Sequence, residues 1–174
     1  VAATGIPEMP EIDFSKFGSV EIQPLSRIKK KTGVNLHRAW LNVPIVTHHD
    51  EADINELENF RKSLSEEAAK QDVKLTLLSF LLKACAAAIR KHPTFNSSLT
   101  ADKENLVIKE YLHIGVAVDT PDGLVVPVIK DVEQKGLLEL AKELAEVSMR
   151  ARTKKLKSSD IEGGCFSISS LGGI

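Results

Sequence analysis

Ile114-Gly115-Val116-Ala117-Val118-Asp119-Thr120-Pro121-Asp122-Gly123-Leu124-Val125-Val126-Pro127-Val128 is the stretch on which the fold turns. Leu112 to Val118 is apolar and rich in β-branched residues, a strand composition. Thr120-Pro121-Asp122-Gly123 is a turn with a mechanism. Proline presets φ, aspartate tolerates the bend, and glycine takes a positive φ. Leu124 to Ile129 answers as the returning strand. Downstream, Leu137, Leu140, Leu144, Val147 and Ala151 recur at helical spacing and predict a long amphipathic helix over 137–154. A short turn or helix over 160–164 and a strand over 165–169 follow.

Upstream, Thr76 opens a nearly continuous apolar run to Ile89, read as a helix buried on most sides and closed by Pro93. Asp53 and Glu56 have the spacing of a capping box and predict a helix from Ile54 to about Lys70. Ile45 to His49 reads as a strand. Ser26 is placed to cap a first helix reaching Leu41, with Ile28, Leu36 and Trp40 on one face and Gly33 weakening the middle. Residues 1–13 read as the end of a linker or an extended arm, and 14–174 as the folded domain. Helices and strands intermix, which gives an α/β fold: a mixed sheet with flanking helices.

With 174 residues, a formal net charge of -1, 43% hydrophobic and 27% charged residues, the chain has the balance of an ordinary globular protein. Near-neutral charge of mixed sign points away from nucleic acid. No apolar run approaches the roughly 20 residues that span a membrane. No charged segment followed by an apolar one opens the chain, so no signal peptide is expected. Two cysteines, Cys85 and Cys165, make no disulfide framework and suit a reducing cytoplasm.

Residue chemistry alone is sparse. His48 and His49 adjoin Asp50, Glu51 and Asp53, but neighbours on a strand point to opposite faces, so no metal site is expected. His37, His92 and His113 fall in no catalytic spacing. Cys165 has no adjacent cation in sequence to make it a thiolate. Ser169-Ser170, after a strand and before Gly172-Gly173, is a hydroxyl pair on a tight backbone, for which a turn-forming role is the plain alternative.

Several stretches, in order, resemble one family. They are Asn35-Leu36-His37-Arg38-Ala39-Trp40, Val43-Pro44-Ile45-Val46-Thr47, Asp53-Ile54-Asn55-Glu56-Leu57, Phe95-Asn96-Ser97-Ser98-Leu99, the 114–128 hairpin, and Gly163-Gly164-Cys165-Phe166-Ser167-Ile168-Ser169-Ser170. Together they resemble the acyltransferase core of 2-oxo acid dehydrogenase complexes, most of all bacterial members that transfer acetyl groups in pyruvate dehydrogenase complexes. The resemblance implies a fold like that of chloramphenicol acetyltransferase, incomplete here at the C-terminus, assembled as trimers that build a larger core. It implies acetyl transfer between coenzyme A and a dihydrolipoyl-lysine whose lipoyl group rides on a separate domain. The implied partners are the decarboxylase and dihydrolipoamide dehydrogenase of the complex, in a bacterial cytoplasm.

By the same resemblance Ser169 matches a serine that stabilises the tetrahedral intermediate, and Arg27 a first-helix arginine that braces the active-site motif. Asp119, at the hairpin rim, is a candidate contact for a substrate thiol arm. The family's general base is the histidine of a His-Arg-x-x-Asp-Gly motif, and no such motif occurs in these 174 residues. His37-Arg38 continues as Ala39-Trp40-Leu41 and falls in the first helix. The general base is therefore expected to lie outside this chain, and the chain alone to be inactive. Two alternatives stand beside this reading: an inert scaffold or oligomerisation module of the complex core, and an antibiotic acetyltransferase on the same fold.

Overall fold

In the computed structural model, residues 9–170 are described. Most of the expected arm and the expected Gly172-Gly173 end lie outside them. The chain forms two compact units, residues 1–42 and 43–174.

The first unit carries a 3-10 turn, Phe14–Lys16, capped by Asp13, whose Oδ1 accepts from Ser15 N at 3.1 Å. Its helix α1 spans Arg27–Asn42. Ser26 caps it as expected: the carbonyl accepts from Lys30 N at 3.1 Å and Oγ accepts from Lys29 N at 3.3 Å. Leu36 and Trp40 on its apolar face are exposed.

The second unit opens irregularly. Ile45–His49 forms no strand and pairs with none among the described residues, contrary to its apolar reading. Ile45 and Val46 are exposed, so neither burial nor a ladder rewards extension there. The single helix expected over 54–70 is two, α2 (Asn55–Ser63) and α3 (Ser65–Lys70), joined at Leu64. Leu64 has φ -84° and ψ -6°, off the helical ψ, although Ala68 N still donates to its carbonyl at 3.0 Å. No Asp53–Glu56 box forms; Asp53 Oδ1 accepts from Asn55 N at 2.9 Å.

Helix α4 spans Leu77–Lys91 and α5 Leu137–Arg152. They pack on each other, and α4 is buried along one stripe: Ser79, Leu82, Ala86 and Ile89. Its opposite side, including Leu81, is exposed, so it is not covered on most sides as the composition predicts. Both its neighbours, α5 and the sheet, lie on the buried stripe. Facing it, α5 contributes Leu140, Leu144 and Val147. Lys83 reaches from α4 to the carbonyls of Glu133 (3.1 Å) and Lys135 (2.9 Å), satisfying the end of the 3-10 turn Val132–Gln134.

Between α4 and the hairpin lies an antiparallel pair that the sequence reading did not anticipate, β1 (Ser97–Leu99) and β2 (Leu106–Ile108). The expected hairpin forms as β3 (Ile114–Val116) and β4 (Val118–Thr120) against β5 (Gly123–Val125) and β6 (Val128–Ile129). Its register is unbroken: Ile114 faces Ile129, Val118 faces Val125 and Thr120 faces Gly123. The division falls at Pro127, which has no N–H for the ladder but whose carbonyl accepts from Val116 N at 2.8 Å. Gly123 takes φ +131° at the turn, as expected. The last strand, β7 (Phe166–Ile168), runs parallel to β3, giving a mixed sheet in the order β6-β3-β7. Ile114, Val116 and Ile129 from this sheet close one core with Leu82 and Leu140. No described helix is long and apolar enough to cross a membrane.

Leu140 is fully buried between α4 and the sheet. Leu140→Ala is expected to destabilise the protein by about 2–5 kcal/mol, whereas Met149→Ala, at an exposed position of α5, changes stability by less than about 0.5 kcal/mol. Urea denaturation of both variants checks the contrast.

Candidate active site

The side chains of a strand alternate between its faces. Along β3 and β4, Ile114, Val116 and Val118 are buried toward the helices. Gly115, Ala117 and Asp119 therefore line the other face. Across the hairpin, register puts Val128 beside Gly115 and Leu124 beside Asp119 on that face, with Val126 between them. On the other side β7 sends Phe166 and Ile168 to the core and turns Ser167 out, opposite Gly115. Ala117 N donates to Ile168 O at 3.0 Å, so the chain is still extended there and Ser169 falls on the side of Ser167.

This face thus has three rows. Leu124, Val126 and Val128 form an apolar row. Gly115, Ala117 and Asp119 form a low middle row, and Ser167 and Ser169 a row of hydroxyls. The absent side chain of Gly115 is required: a Cβ there would lie 2.8 Å from Val126 Cγ1 and 3.1 Å from Ser167 Oγ. Ser167, Ser169 and Asp119 are exposed, and among the described residues none of their side-chain oxygens has a hydrogen-bond partner. Most other serines and threonines near the sheet are bonded, as Thr120 Oγ1 is to Gly123 O at 2.6 Å.

The structure therefore brings two of the three expected site residues, Ser169 and Asp119, to one face. Arg27, the first residue of α1, belongs to the N-terminal unit and is exposed. Ser167 was missed by the sequence reading, although the alternation that turns Ser169 outward turns Ser167 outward too. His113 accepts from Asp131 N at its Nδ1, at 3.1 Å, and stacks on Tyr111 with ring centroids 4.7 Å apart. No described group of His, Cys, Asp or Glu is arranged to hold a metal. Burial pushes the Cys85 thiol up, which suits an inert core residue.

The entry to β7 is held by Asp160. Its Oδ2 accepts from Lys157 N at 2.9 Å and its Oδ1 from the Arg150 guanidinium of α5 at 3.3 Å. The Lys157 amide and the Arg150 charge hold the carboxyl below the usual aspartate range. A folded pKa below the unfolded one stabilises the protein fully above the unfolded value, about 3.9, and the gain is lost as pH falls through the lowered folded value. Melting wild type and Asp160→Asn between neutral and strongly acid pH is expected to show a difference at neutrality that vanishes in acid. A second expectation concerns Gly115→Ala. The added methyl displaces Val126 or Ser167, costing about 1–3 kcal/mol by denaturant titration.

Comparison with known proteins bears on the family. A family model described as the catalytic domain of 2-oxoacid dehydrogenases acyltransferase matches residues 17–174. The chain is 55% identical over 170 residues to the dihydrolipoyllysine-residue acetyltransferase component of pyruvate dehydrogenase complex of Cupriavidus necator, covering 98% of this chain and 30% of that protein. The Haemophilus influenzae protein of the same name is also 55% identical, over 99% of this chain and 31% of its own length. The chain thus spans about a third of the curated relatives it matches. A solved Azotobacter vinelandii dihydrolipoamide acetyltransferase superposes with TM-score 0.93 at 53% identity, covering 96% of this chain and 69% of that one. That structure was described for the role of a serine, a histidine and an asparagine in catalysis. A truncated catalytic core of the 2-oxoacid dehydrogenase multienzyme complex from Thermoplasma acidophilum superposes at TM-score 0.80 and 27% identity, over 88% of this chain and 70% of that one. The mixed sheet, its helices and the matched length agree: the chain belongs to the 2-oxoacid dehydrogenase acyltransferases, in the catalytic domain of that family.

Proposed function

We propose that the protein to which this chain belongs transfers acetyl groups between coenzyme A and a dihydrolipoyl-lysine in a bacterial pyruvate dehydrogenase complex. The observation that carries this reading is the sheet face where Ser169 and Asp119 stand with oxygens unpartnered among the described residues. In acyl transfer a thiol sulfur attacks a thioester carbonyl carbon. The carbonyl oxygen takes up charge, the tetrahedral centre collapses, and the other sulfur leaves and takes a proton. A preformed donor at the developing oxyanion lowers that barrier, and Ser169 Oγ is the donor in this reading. Asp119, at the rim, contacts the incoming thiol arm, and Arg27 braces the motif that carries the base. The proton is taken by a histidine of the family motif, which these 174 residues do not contain. The chain taken alone therefore has no base for the thiol in this reading.

Self-association is the second part of the proposal. Phe95 and Leu99 stand exposed on one segment, and Leu106, Val107 and Ile108 along β2. Apolar surface of that extent suits burial against other copies. A solved relative, 53% identical, is described as the cubic core of the pyruvate dehydrogenase multienzyme complex. Trimers building such a core, with the decarboxylase and dihydrolipoamide dehydrogenase around it in the cytoplasm, complete the reading.

The test is Ser169→Ala in the full-length parent protein. An oxyanion donor acts mainly in the transition state, so kcat is expected to fall with KM little changed. Loss of one such donor in a well-studied protease costs about 2.7–4 kcal/mol, and a thioester carbonyl sets a similar upper bound. Steady-state kinetics with acetyl-CoA and dihydrolipoamide check it. A folded variant with wild-type kcat removes Ser169 from the mechanism.

A further inference from the structure

Ser167 and Ser169 sit two residues apart on the same side of β7, so their hydroxyls are spaced by about 6.6 Å along the strand. Both are unpartnered among the described residues, and Ser167 Oγ overhangs the place where Gly115 has no side chain. A substrate lying along this row with its carbonyl oxygen at Ser169 presents to Ser167 whatever polar group it carries about 6 Å away.

The two thiol substrates of the proposed reaction differ at that distance. In coenzyme A the sulfur is followed by two methylenes and then an amide. From thioester oxygen to amide nitrogen is five bonds, roughly 5–6 Å when extended. In dihydrolipoamide either sulfur is separated from the nearest amide by a longer hydrocarbon chain, and the atoms at that distance are methylenes. Val126, across the low middle row and partly exposed, suits the methylenes of either arm. The hydroxyl of Ser167 suits only the amide.

We propose that Ser167 is a specificity residue that hydrogen-bonds the amide next to the sulfur of coenzyme A, and so seats the acetyl-CoA thioester with its carbonyl at Ser169. This inference rests on the acetyl-transfer reading but is separable from it. A uniform binding contact of this kind raises KM when lost and leaves kcat alone, whereas loss of the oxyanion donor lowers kcat.

The experiment uses the full-length parent with Ser167→Ala, Ser167→Thr and Ser167→Val. Threonine and valine have the same shape and suit a strand, so that pair isolates the hydroxyl even where alanine perturbs folding. Removing the hydroxyl is expected to raise KM for acetyl-CoA about threefold to tenfold, to leave KM for dihydrolipoamide unchanged, and to keep kcat. Threonine is expected to retain wild-type values. S-acetyl-N-acetylcysteamine, which keeps only the amide end of coenzyme A, should show the same defect, and S-ethyl thioacetate, which lacks the amide, should show none. An equal KM change for both thiols, no difference between threonine and valine, or a defect that persists with S-ethyl thioacetate overturns the assignment. Each of those results leaves the Ser169 test untouched.

Discussion

Ile114 is wholly buried where α4, α5 and the sheet converge, and the rest of the second unit depends on its being there. It pairs with Ile129 across the hairpin and with Phe166 across the parallel ladder. Because side chains alternate, fixing Ile114 inward fixes Val116 and Val118 inward and Gly115, Ala117 and Asp119 outward. A slip of one residue would send the polar face into the core and the apolar face into water. The burial of three β-branched side chains thus sets which oxygens the sheet displays.

Two anchors at the periphery keep that sheet in place. The Lys83 ammonium holds the carbonyls at the end of the 3-10 turn that follows β6, tying α4 to the exit of the hairpin. Asp160 ties the loop before β7 to Arg150 of α5, so the row carrying Ser167 and Ser169 is positioned by the same helix that buries Leu140. Each contact is local, but they act at the two approaches to the sheet, where the alternation begins and ends.

The hairpin was legible because local chemistry and burial agree there: Pro121 and Gly123 can form that turn, and the flanking runs have one face to hide. The helices α4 and α5 were legible for the same reason. Ile45–His49 misled because an apolar run predicts burial, and burial needs a neighbour that local sequence does not name. The bend at Leu64 was hidden because Leu64 is a good helix former. The pair β1–β2 was missed because its closure depends on the loop from Thr100 to Asn105. There Thr100 N donates to Asn105 O at 2.9 Å and Glu104 N to Asp102 Oδ1 at 3.1 Å, bonds that no periodicity shows. At the site, Ser169 stood out as a hydroxyl on a tight backbone and took its expected role from family resemblance, whereas Ser167 needed only the period of two in a strand already expected.

The contrast between bonded and unbonded hydroxyls gives the face its chemical sense. A hydroxyl on a finished surface gains by bonding its own backbone, as Ser63 does to Phe60 O at 2.7 Å and Ser97 to Thr94 O at 2.7 Å. Ser167 and Ser169 are in an extended chain, where the alternation carries each Oγ away from its own ladder. Their direct neighbours in the middle row, Gly115 and Ala117, carry no side-chain acceptor. Such hydroxyls exchange water bonds for substrate bonds without first breaking an internal one, so less of the interaction is lost to reorganisation when a carbonyl oxygen gains charge beside them. The same reasoning separates their tasks. The oxygen that changes charge during the reaction is the one to be met by Ser169, and an amide that does not change charge can be met as well before the reaction as during it. In the proposed reaction, two hydroxyls unpartnered among the described residues would thus make both kinds of contact, one that lowers the barrier and one that sets the register of the arm along the sheet.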